Sequence, residues 1–284
     1  MKTLGNANRD LHLDLTDFVV LDVETTGLSP NNGDRVCEIG AVKMRGGAVI
    51  ETLGSLIDPK RPISPGAYEV NRISARMLEG APLFESLAPR LKEMIEGAAL
   101  VAYNAPFDMS FILNEFRIAG YPSLRNVVVD ALTMARQLLP GLGRYPQENV
   151  ARTVGIAFPV KHRALEDAMV TAQLFTMFTS ILKAHDCTTC SDLHRKDLTQ
   201  VLYAKRMNIV THALLSRSNL WIKYLSPANG EISDRVVTPK ECMDGKSGRA
   251  GSSYLIAYCH SAQAERNFRI DRILDLRLID HRQV

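Results

Sequence analysis

Four acidic residues and one histidine, spread over about half of the chain, have the types and spacing to do chemistry. Asp22 and Glu24 are separated by one residue, His162 precedes Asp167 by five positions, and Asp108 lies between these two pairs. Carboxylates that meet at one point need a cation between them, because without a counter-charge they would repel one another and take up protons. Oxygen ligands favour hard ions, so this set predicts a magnesium or manganese site.

An apolar strand is expected to position the first pair. Residues 18–23 are rich in valine and are followed by Thr25, Thr26 and Gly27, which predicts a buried strand that ends in a turn. Side chains two positions apart on a strand project to the same side. One strand end therefore delivers Asp22 and Glu24 to one cleft.

Two helix starts are expected to supply the other groups. A short strand over 100–103 precedes Pro106, which opens a helix over 107–119 and places Asp108 in its first turn. Apolar residues recur with helical spacing over 165–181, which places Asp167 near a second helix start, with His162 just before it.

Each of these residues, taken singly, also has an ordinary interpretation. Asp108 could favour a helix N-terminus through the helix dipole, Asp22 could be a turn residue, and His162 could be a surface histidine. Glu166 lies on a different helical face from its neighbour and is expected to be solvated. Asp130 ends a strand-like run and is expected to be structural.

The order of the motifs resembles that of the DEDDh branch of the DnaQ-like 3'-5' exonucleases. Asp-x-Glu-Thr stands at 22–25, Asn-x-x-Phe-Asp at 104–108 and His-x-x-x-x-Asp at 162–167. The resemblance covers about residues 14–183. Where relatives often carry His-Gly-Ile-Thr, this chain has Asn-Arg-Ile-Ser at 71–74, and the leucine-rich helix before the third motif is diluted at 147–150.

The resemblance implies a ribonuclease H-like α/β fold with a central mixed sheet, and a two-metal mechanism. It implies that two magnesium or manganese ions are held by Asp22, Glu24, Asp108 and Asp167, with Asp22 touching both. His162 would take the proton from the attacking water, for which an ordinary histidine pKa of about 6.5 is suitable. The terminal nucleotide would be held by Thr25, Thr26, Gly27, Leu28 and Phe107, although Phe107 is equally compatible with a core position.

Composition predicts a globular protein of two modest domains. The chain has 284 residues, of which 46% are hydrophobic and 23% charged, enough for a sizeable core. It has no run of about 18 apolar residues and no signal-like N-terminus, so it is expected to be cytoplasmic, without membrane contact and with its five cysteines reduced.

A short cysteine and histidine cluster offers a second possible metal site. His185, Cys187, Cys190 and His194 fall within ten residues, which superficially suits zinc. The segment is short for wrapping a tetrahedral ion and lies where an interdomain linker is expected. An ordinary linker or helix start over 184–204 is the favoured interpretation.

The remainder of the chain changes character. Apolar residues with basic Lys205 and Arg206 between them predict an amphipathic helix over 198–215. Strand-like segments follow at 220–225, 235–238, 254–259 and 267–270, with turns at 226–230 and 245–252. These ranges locate four strands, and five short strands in all are expected to form a small all-β barrel.

This second block resembles a WYL domain, an SH3-like or Sm-like barrel, over about 205–280. Ser253 replaces the name-giving tryptophan, while Tyr254 and Leu255 remain. Residues 198–284 carry 13 Lys and Arg against 8 Asp and Glu, a net charge of +5, which leaves −2 for the remainder. Four arginines are candidate contacts for nucleic acid: Arg235, Arg266, Arg269 and Arg272. They could instead pair with Asp234, Asp271 and Asp275 on a solvated face.

Together the two resemblances imply a domain over 14–183 that removes mononucleotides from the 3' end of single-stranded DNA, and a WYL-like domain over 205–284 that assists binding or regulation. RNA trimming is the nearest alternative, and a ligand-sensing regulator built on an inactive nuclease fold is another. Partners in nucleic-acid repair or processing are expected, and the oligomeric state is open.

Overall fold

The structure, a computed structural model, describes residues 11–158, 162–227, 230–244 and 253–279. It divides into two compact units, one formed by the described residues up to 133 and 156–176, the other by 134–155 and those from 177 onward. Each unit contains one five-stranded sheet.

The sheet of the first unit is mixed, as predicted. Its strands are β1 (Phe18–Thr25), β2 (Val36–Arg45), β3 (Ala48–Leu56), β4 (Ala99–Ala102) and β5 (Val128–Asp130), in the order β3-β2-β1-β4-β5. Strand β1 is antiparallel to β2 and parallel to β4. The expected strand at 18–23 therefore forms the centre of the sheet.

The helices of the chain are α1 (Pro65–Asn71), α2 (Phe84–Ile95), α3 (Ala105–Ile118), α4 (Ala131–Leu138), α5 (Gln147–Thr153), α6 (Ala164–Lys183) and α7 (Leu198–Ser216). The three predicted helices correspond to α3, α6 and α7. No helix among the described residues is long and apolar enough to cross a membrane. The five cysteines all lie in described segments, and none is in a disulfide.

Strand β1 is buried on both faces, and this explains its apolar run. Val19 and Leu21 belong to the core that includes residues of α2 and α3. On the opposite face, the Phe18 ring lies 4.8 Å from the Phe175 ring of α6 in an edge-to-face contact. That second face continues along β1 to Asp22 and Glu24, so α6 covers the apolar end of the face that carries the two acidic residues.

The second unit contains an antiparallel sheet rather than the predicted closed barrel. Its strands are β6 (Asn219–Leu225), β7 (Ile232–Met243), β8 (Tyr254–Cys259), β9 (Ala264–Arg269) and β10 (Ile273–Ile279), in the order β10-β6-β7-β8-β9. The edge strands β9 and β10 do not pair with each other within the described residues. Helix α7 contributes Val210 and Ala213 to the core of this sheet, so a helix covers part of the apolar face and the sheet need not close on itself to bury it.

Two details of this unit also differ from the prediction. Strand β10 has no counterpart among the four ranges located from sequence, and β7 is longer than the expected 235–238. The expected turn at 245–252 lies outside the described residues, as do two positions of the turn at 226–230.

Candidate active site

Asp22 and Glu24 lie near the end of β1, on the face of the strand opposite Leu21 and Val23. Leu21 and Val23 are buried in the core, whereas Asp22 and Glu24 are partly buried on the other face. In the register with β2, Asp22 lies opposite Gly40 and Glu24 opposite Glu38. The alternation expected from the sequence therefore places both carboxylates on one side of the sheet.

Helix α3 brings Asp108 to the same strand. Asp108 is buried, and its Oδ1 accepts a hydrogen bond from the Val23 backbone N–H at 3.2 Å. The start of α3 is fixed by Asp130, whose Oδ1 accepts from the N–H groups of Asn104 and Ala105, both at 3.2 Å. Asp130 thus has the structural position expected for it.

Helix α6 and the loop before it bring in the last two groups. Asp167 lies in the first turn of α6, and its Oδ2 accepts from the His162 backbone N–H at 3.1 Å. His162 itself is exposed and has a φ of 59°. One ligand atom each of Glu24, His162 and Asp167 lies within 4.8 Å of the other two, close enough to hold a metal ion.

A fifth carboxylate, Glu38, fixes the start of α6. It is buried on β2 and accepts from the Arg163 guanidinium at 2.7 Å and from the Ala164 N–H at 3.3 Å. Gly40 allows β2 to approach the start of α6 closely, since a Cβ at this position would lie 2.2 Å from the carbonyl carbon and oxygen of Ala164. Local sequence patterns could not identify the role of Glu38, because its partners lie more than 120 positions away.

The electrostatics show that the carboxylates converge. Burial raises the pKa of Asp22 well above its ordinary value, and repulsion from Asp108, Asp167, Glu24 and Glu38 raises it further. Burial and neighbouring carboxylates also raise the pKa of Glu24 to about 7, that of Asp108 to about 8 and that of Asp167 to about 6. Such a cluster is expected to be relieved by a cation, and its all-oxygen donors fit magnesium or manganese.

These raised pKa values predict that the metal-free protein loses stability as pH rises. The folded state holds protons that the unfolded state releases near pH 4, so the free energy of unfolding falls between about pH 4 and pH 8. One pH unit between the folded and unfolded pKa corresponds to about 1.4 kcal/mol. Thermal denaturation in EDTA should show this decline, and saturating Mg²⁺ at pH 8 should reverse it. A melting temperature that rises from pH 5 to pH 8 in EDTA would contradict the prediction.

Replacing Glu38 should weaken the site without touching a predicted ligand. In Glu38→Gln the ion pair with Arg163 is lost, and we expect a loss of 10- to 100-fold in metal affinity or nuclease rate, roughly that of other residues that orient ligands. The total loss in the double variant Glu38→Gln/Arg163→Gln should be much smaller than the sum of the losses in the two single variants, because both changes remove the same ion pair. Additive losses would argue against this role.

The turn after β1 is held by its own side chains. Thr26 is buried, its Oγ1 donates to Asp34 at 3.3 Å, and its carbonyl accepts from the Ser64 N–H at 3.0 Å. Thr25 Oγ1 donates to the Gly27 carbonyl at 2.6 Å. Both threonines therefore shape the turn.

The apolar residues predicted to hold a nucleotide differ in exposure. Leu28 is 86% exposed. Phe107 is partly buried, packs against the core and has its ring 5.1 Å from that of Phe111. Phe107 thus has the core contacts of one of its two interpretations, and its contact with a nucleotide stays a prediction.

Asn71 is a second residue whose role the sequence did not identify. Its Nδ2 donates to the Thr25 carbonyl at 3.2 Å, and a hydrogen bond from its side chain to Glu24 opposes the rise in the pKa of that residue. The signal was present, because 71–74 is the segment where the chain departs from the pattern of its relatives.

The possible zinc ligands do not form a metal group among the described residues. Both ring nitrogens of His185 are engaged, Nδ1 with the Ile181 carbonyl at 2.9 Å and Nε2 with the Arg206 Nε–H at 3.1 Å. Burial and the Arg206 charge lower the pKa of His185 to about 4. These contacts leave neither ring nitrogen of His185 available to a metal ion.

The four arginines of the second unit are in different environments. Arg266 is exposed, and Arg235 donates to Ser233 Oγ at 3.1 Å. Arg269 donates to both carboxylate oxygens of Asp271, while Arg272 is buried. Part of the set is therefore paired internally, as in the alternative interpretation of these residues.

Comparisons with known families match both parts of the chain. A family model described as Exonuclease (RNase_T) matches residues 19–175, and one described as WYL domain matches residues 205–278.

Two relatives illustrate the similarity in sequence. The chain is 38% identical over 161 residues to the DNA polymerase III subunit epsilon of Treponema pallidum, covering 56% of this chain and 74% of that protein. It is 32% identical over 225 residues to the DNA polymerase III PolC-type of Caldanaerobacter subterraneus subsp. tengcongensis, covering 74% of this chain and 16% of that protein. The chain spans between 14% and 19% of the length of four PolC-type relatives.

A solved structure shares the fold. E. coli Exonuclease I in complex with a dT13 oligonucleotide superposes with a TM-score of 0.54 at 16% identity, covering 93% of this chain and 63% of that chain. At this identity the likeness concerns the fold alone.

Proposed function

Because the chain belongs to the exonuclease family, we propose that it is a metal-dependent 3'-5' exonuclease that releases mononucleotides from single-stranded DNA. The proposal is supported by the group of Glu24, His162 and Asp167, which lie close enough to hold one ion, and by the repulsion that Asp108, Asp167 and Glu24 exert on Asp22. Buried carboxylates whose pKa values are raised by their neighbours are typical of functional sites, and here they suit the binding of cations.

The proposed chemistry assigns one task to each group. Asp22, Glu24, Asp108 and Asp167 would hold two divalent ions, which would supply a water of lowered pKa and charge stabilisation for the leaving 3' oxygen. His162 accepts the proton as the water oxygen bonds to phosphorus and the bond from phosphorus to the 3' oxygen breaks. Exposed Leu28 and partly buried Phe107 are proposed to hold the terminal nucleotide.

DNA is the proposed substrate, and RNA is the alternative. The names of the relatives support DNA, since they are DNA polymerase III proteins, and the similar fold was solved with oligothymidylate. A regulator built on an inactive nuclease fold would be expected to have lost a ligand, yet all four carboxylates and the histidine are present.

The WYL-like part is proposed to assist binding of the strand. A tethered second binding surface raises the local concentration of substrate at the nuclease site. Of the arginines proposed to meet phosphates (Arg235, Arg266, Arg269 and Arg272), Arg266 is the most accessible, whereas Arg269 and Arg272 would first have to leave Asp271 or a buried position. Binding through phosphates should weaken steeply with salt.

Digestion of end-labelled strands tests the proposal. With 5'-labelled single-stranded DNA we expect a ladder that shortens stepwise from the 3' end, needs Mg²⁺ or Mn²⁺, stops in EDTA and is absent in Asp167→Ala. A matched RNA oligonucleotide should be cut more slowly. Early loss of the 5' label, or activity indifferent to EDTA, would refute the proposal, and faster cutting of RNA would reassign the substrate.

A further inference from the structure

The outer face of the second sheet carries a pocket that the nuclease chemistry does not use. It has a volume of about 470 Å³ and is lined by Trp221, Val236, Arg277, Leu278 and Ile279. Arg277, Trp221 and Val236 are direct cross-strand neighbours on β10, β6 and β7, so they form one row. The pocket is thus built by three adjacent strands.

The row points away from the core. Leu220 and Ile222, the neighbours of Trp221 on β6, are fully buried, whereas Trp221 is partly exposed and Arg277 is exposed. Trp221 is the single tryptophan of the chain, and tryptophan is enriched at binding interfaces. The Trp221 indole is therefore accessible to solvent on the face of the sheet opposite the core.

The charge beside the indole is positive. The Arg277 guanidinium carbon lies 4.4 Å from the centre of the Trp221 ring. Within the described residues Arg277 makes no ion pair, so its charge is available to a ligand. In the next row of the same face, Lys223 lies between Asp275 and Asp234, which leaves Arg277 as the dominant cation of the pocket.

We propose that Trp221 and Arg277 form a binding site for an unpaired nucleobase of a single strand, with the base stacked on the indole and a phosphate beside the guanidinium. An aromatic face next to a cation suits this ligand, because every base offers a π-face and every nucleotide a negative charge. Ile279, two positions from Arg277 on β10 and therefore on the same face of the sheet, extends the apolar wall for the base. This inference rests on the proposed function and names a strand contact outside the nuclease site.

The lone tryptophan makes the test direct. Full-length protein is titrated in EDTA with oligothymidylate, and tryptophan fluorescence should be quenched to saturation by a stacked base. Thymidine monophosphate is titrated in parallel and should bind much more weakly, since it lacks the rest of the strand. Equal affinity for the mononucleotide would assign the pocket to a free nucleotide and overturn the strand proposal.

Variants with a labelled oligothymidylate supply the second readout. We expect Trp221→Ala to weaken binding about 5- to 150-fold, the range of one lost base stack, and Trp221→Phe to retain most of the affinity. Tyr258→Ala removes another exposed aromatic ring from the same sheet and should change binding less than about twofold. Melting temperatures within a few degrees of the parent would show that the variants are folded.

The outcomes separate this inference from the proposed function. Normal digestion of DNA by the parent, with unchanged binding in Trp221→Ala or equal losses in Trp221→Ala and Tyr258→Ala, would overturn the pocket and leave the nuclease proposal intact. A parent protein that neither binds nor digests DNA would overturn both.

Discussion

Asp22→Asn is expected to lower the rate of strand digestion by at least about 10³-fold while making the metal-free protein more stable. The rate falls because a carboxylate proposed to touch both ions is lost, and stabilisation of charge by metal ions is worth several kcal/mol. The stability rises because Asp22 is the carboxyl group that is repelled by Asp108, Asp167, Glu24 and Glu38. Digestion rates and thermal denaturation in EDTA at pH 8 measure the two effects.

Opposite signs in activity and stability distinguish this result from simple misfolding. Glu166→Gln is the matched control, because Glu166 is an exposed acidic residue next to Asp167. It should change both quantities little. Loss of activity together with loss of stability in Asp22→Asn would mean that the residue supports the fold rather than ions.

His162→Gly is expected to lower the digestion rate about 10²- to 10⁴-fold, the usual contribution of a general base. Glycine suits the position because His162 has a φ of 59°, which glycine adopts without strain. Since the His162 side chain is exposed, added imidazole can reach the vacated space and should restore part of the rate. Steady-state digestion with and without imidazole measures this.

Rescue separates a proton acceptor from a structural residue. His212→Gly would disturb α7, so His212→Gln, a change of an exposed histidine in the other unit, is the better control and should digest DNA normally without any effect of imidazole. A His162→Gly variant that is fully active would contradict a role for His162 in the reaction. A variant that is inactive and does not respond to imidazole would mean that His162 does not act as the proton acceptor.

The parts of the site that follow from local patterns could be predicted from the sequence. The alternation on β1 placed Asp22 and Glu24 on one face, and Pro106 marked the helix start that holds Asp108. These signals act within a few residues, where strand and helix periodicity decide the direction of a side chain.

The parts that depend on distant contacts could not be predicted. The contact of Glu38 with Arg163 and Ala164 follows from the packing of α6 on β2, and no spacing in the sequence encodes it. The predicted barrel was wrong for a similar reason, since closure depends on whether the two edge strands meet. Arg206 was expected only as a basic residue of the amphipathic helix α7. Its burial follows from distant contacts, with His185 and with the Asp271 carbonyl.

Titration of the protein with Mn²⁺ tests the central claim most directly, because it counts the ions that the acidic cluster holds. With thymidine monophosphate present, we predict two ions per parent chain, the same number in Glu166→Gln, and a loss of tight binding in Asp22→Asn. Equal binding of Mn²⁺ by the parent and Asp22→Asn would contradict the account.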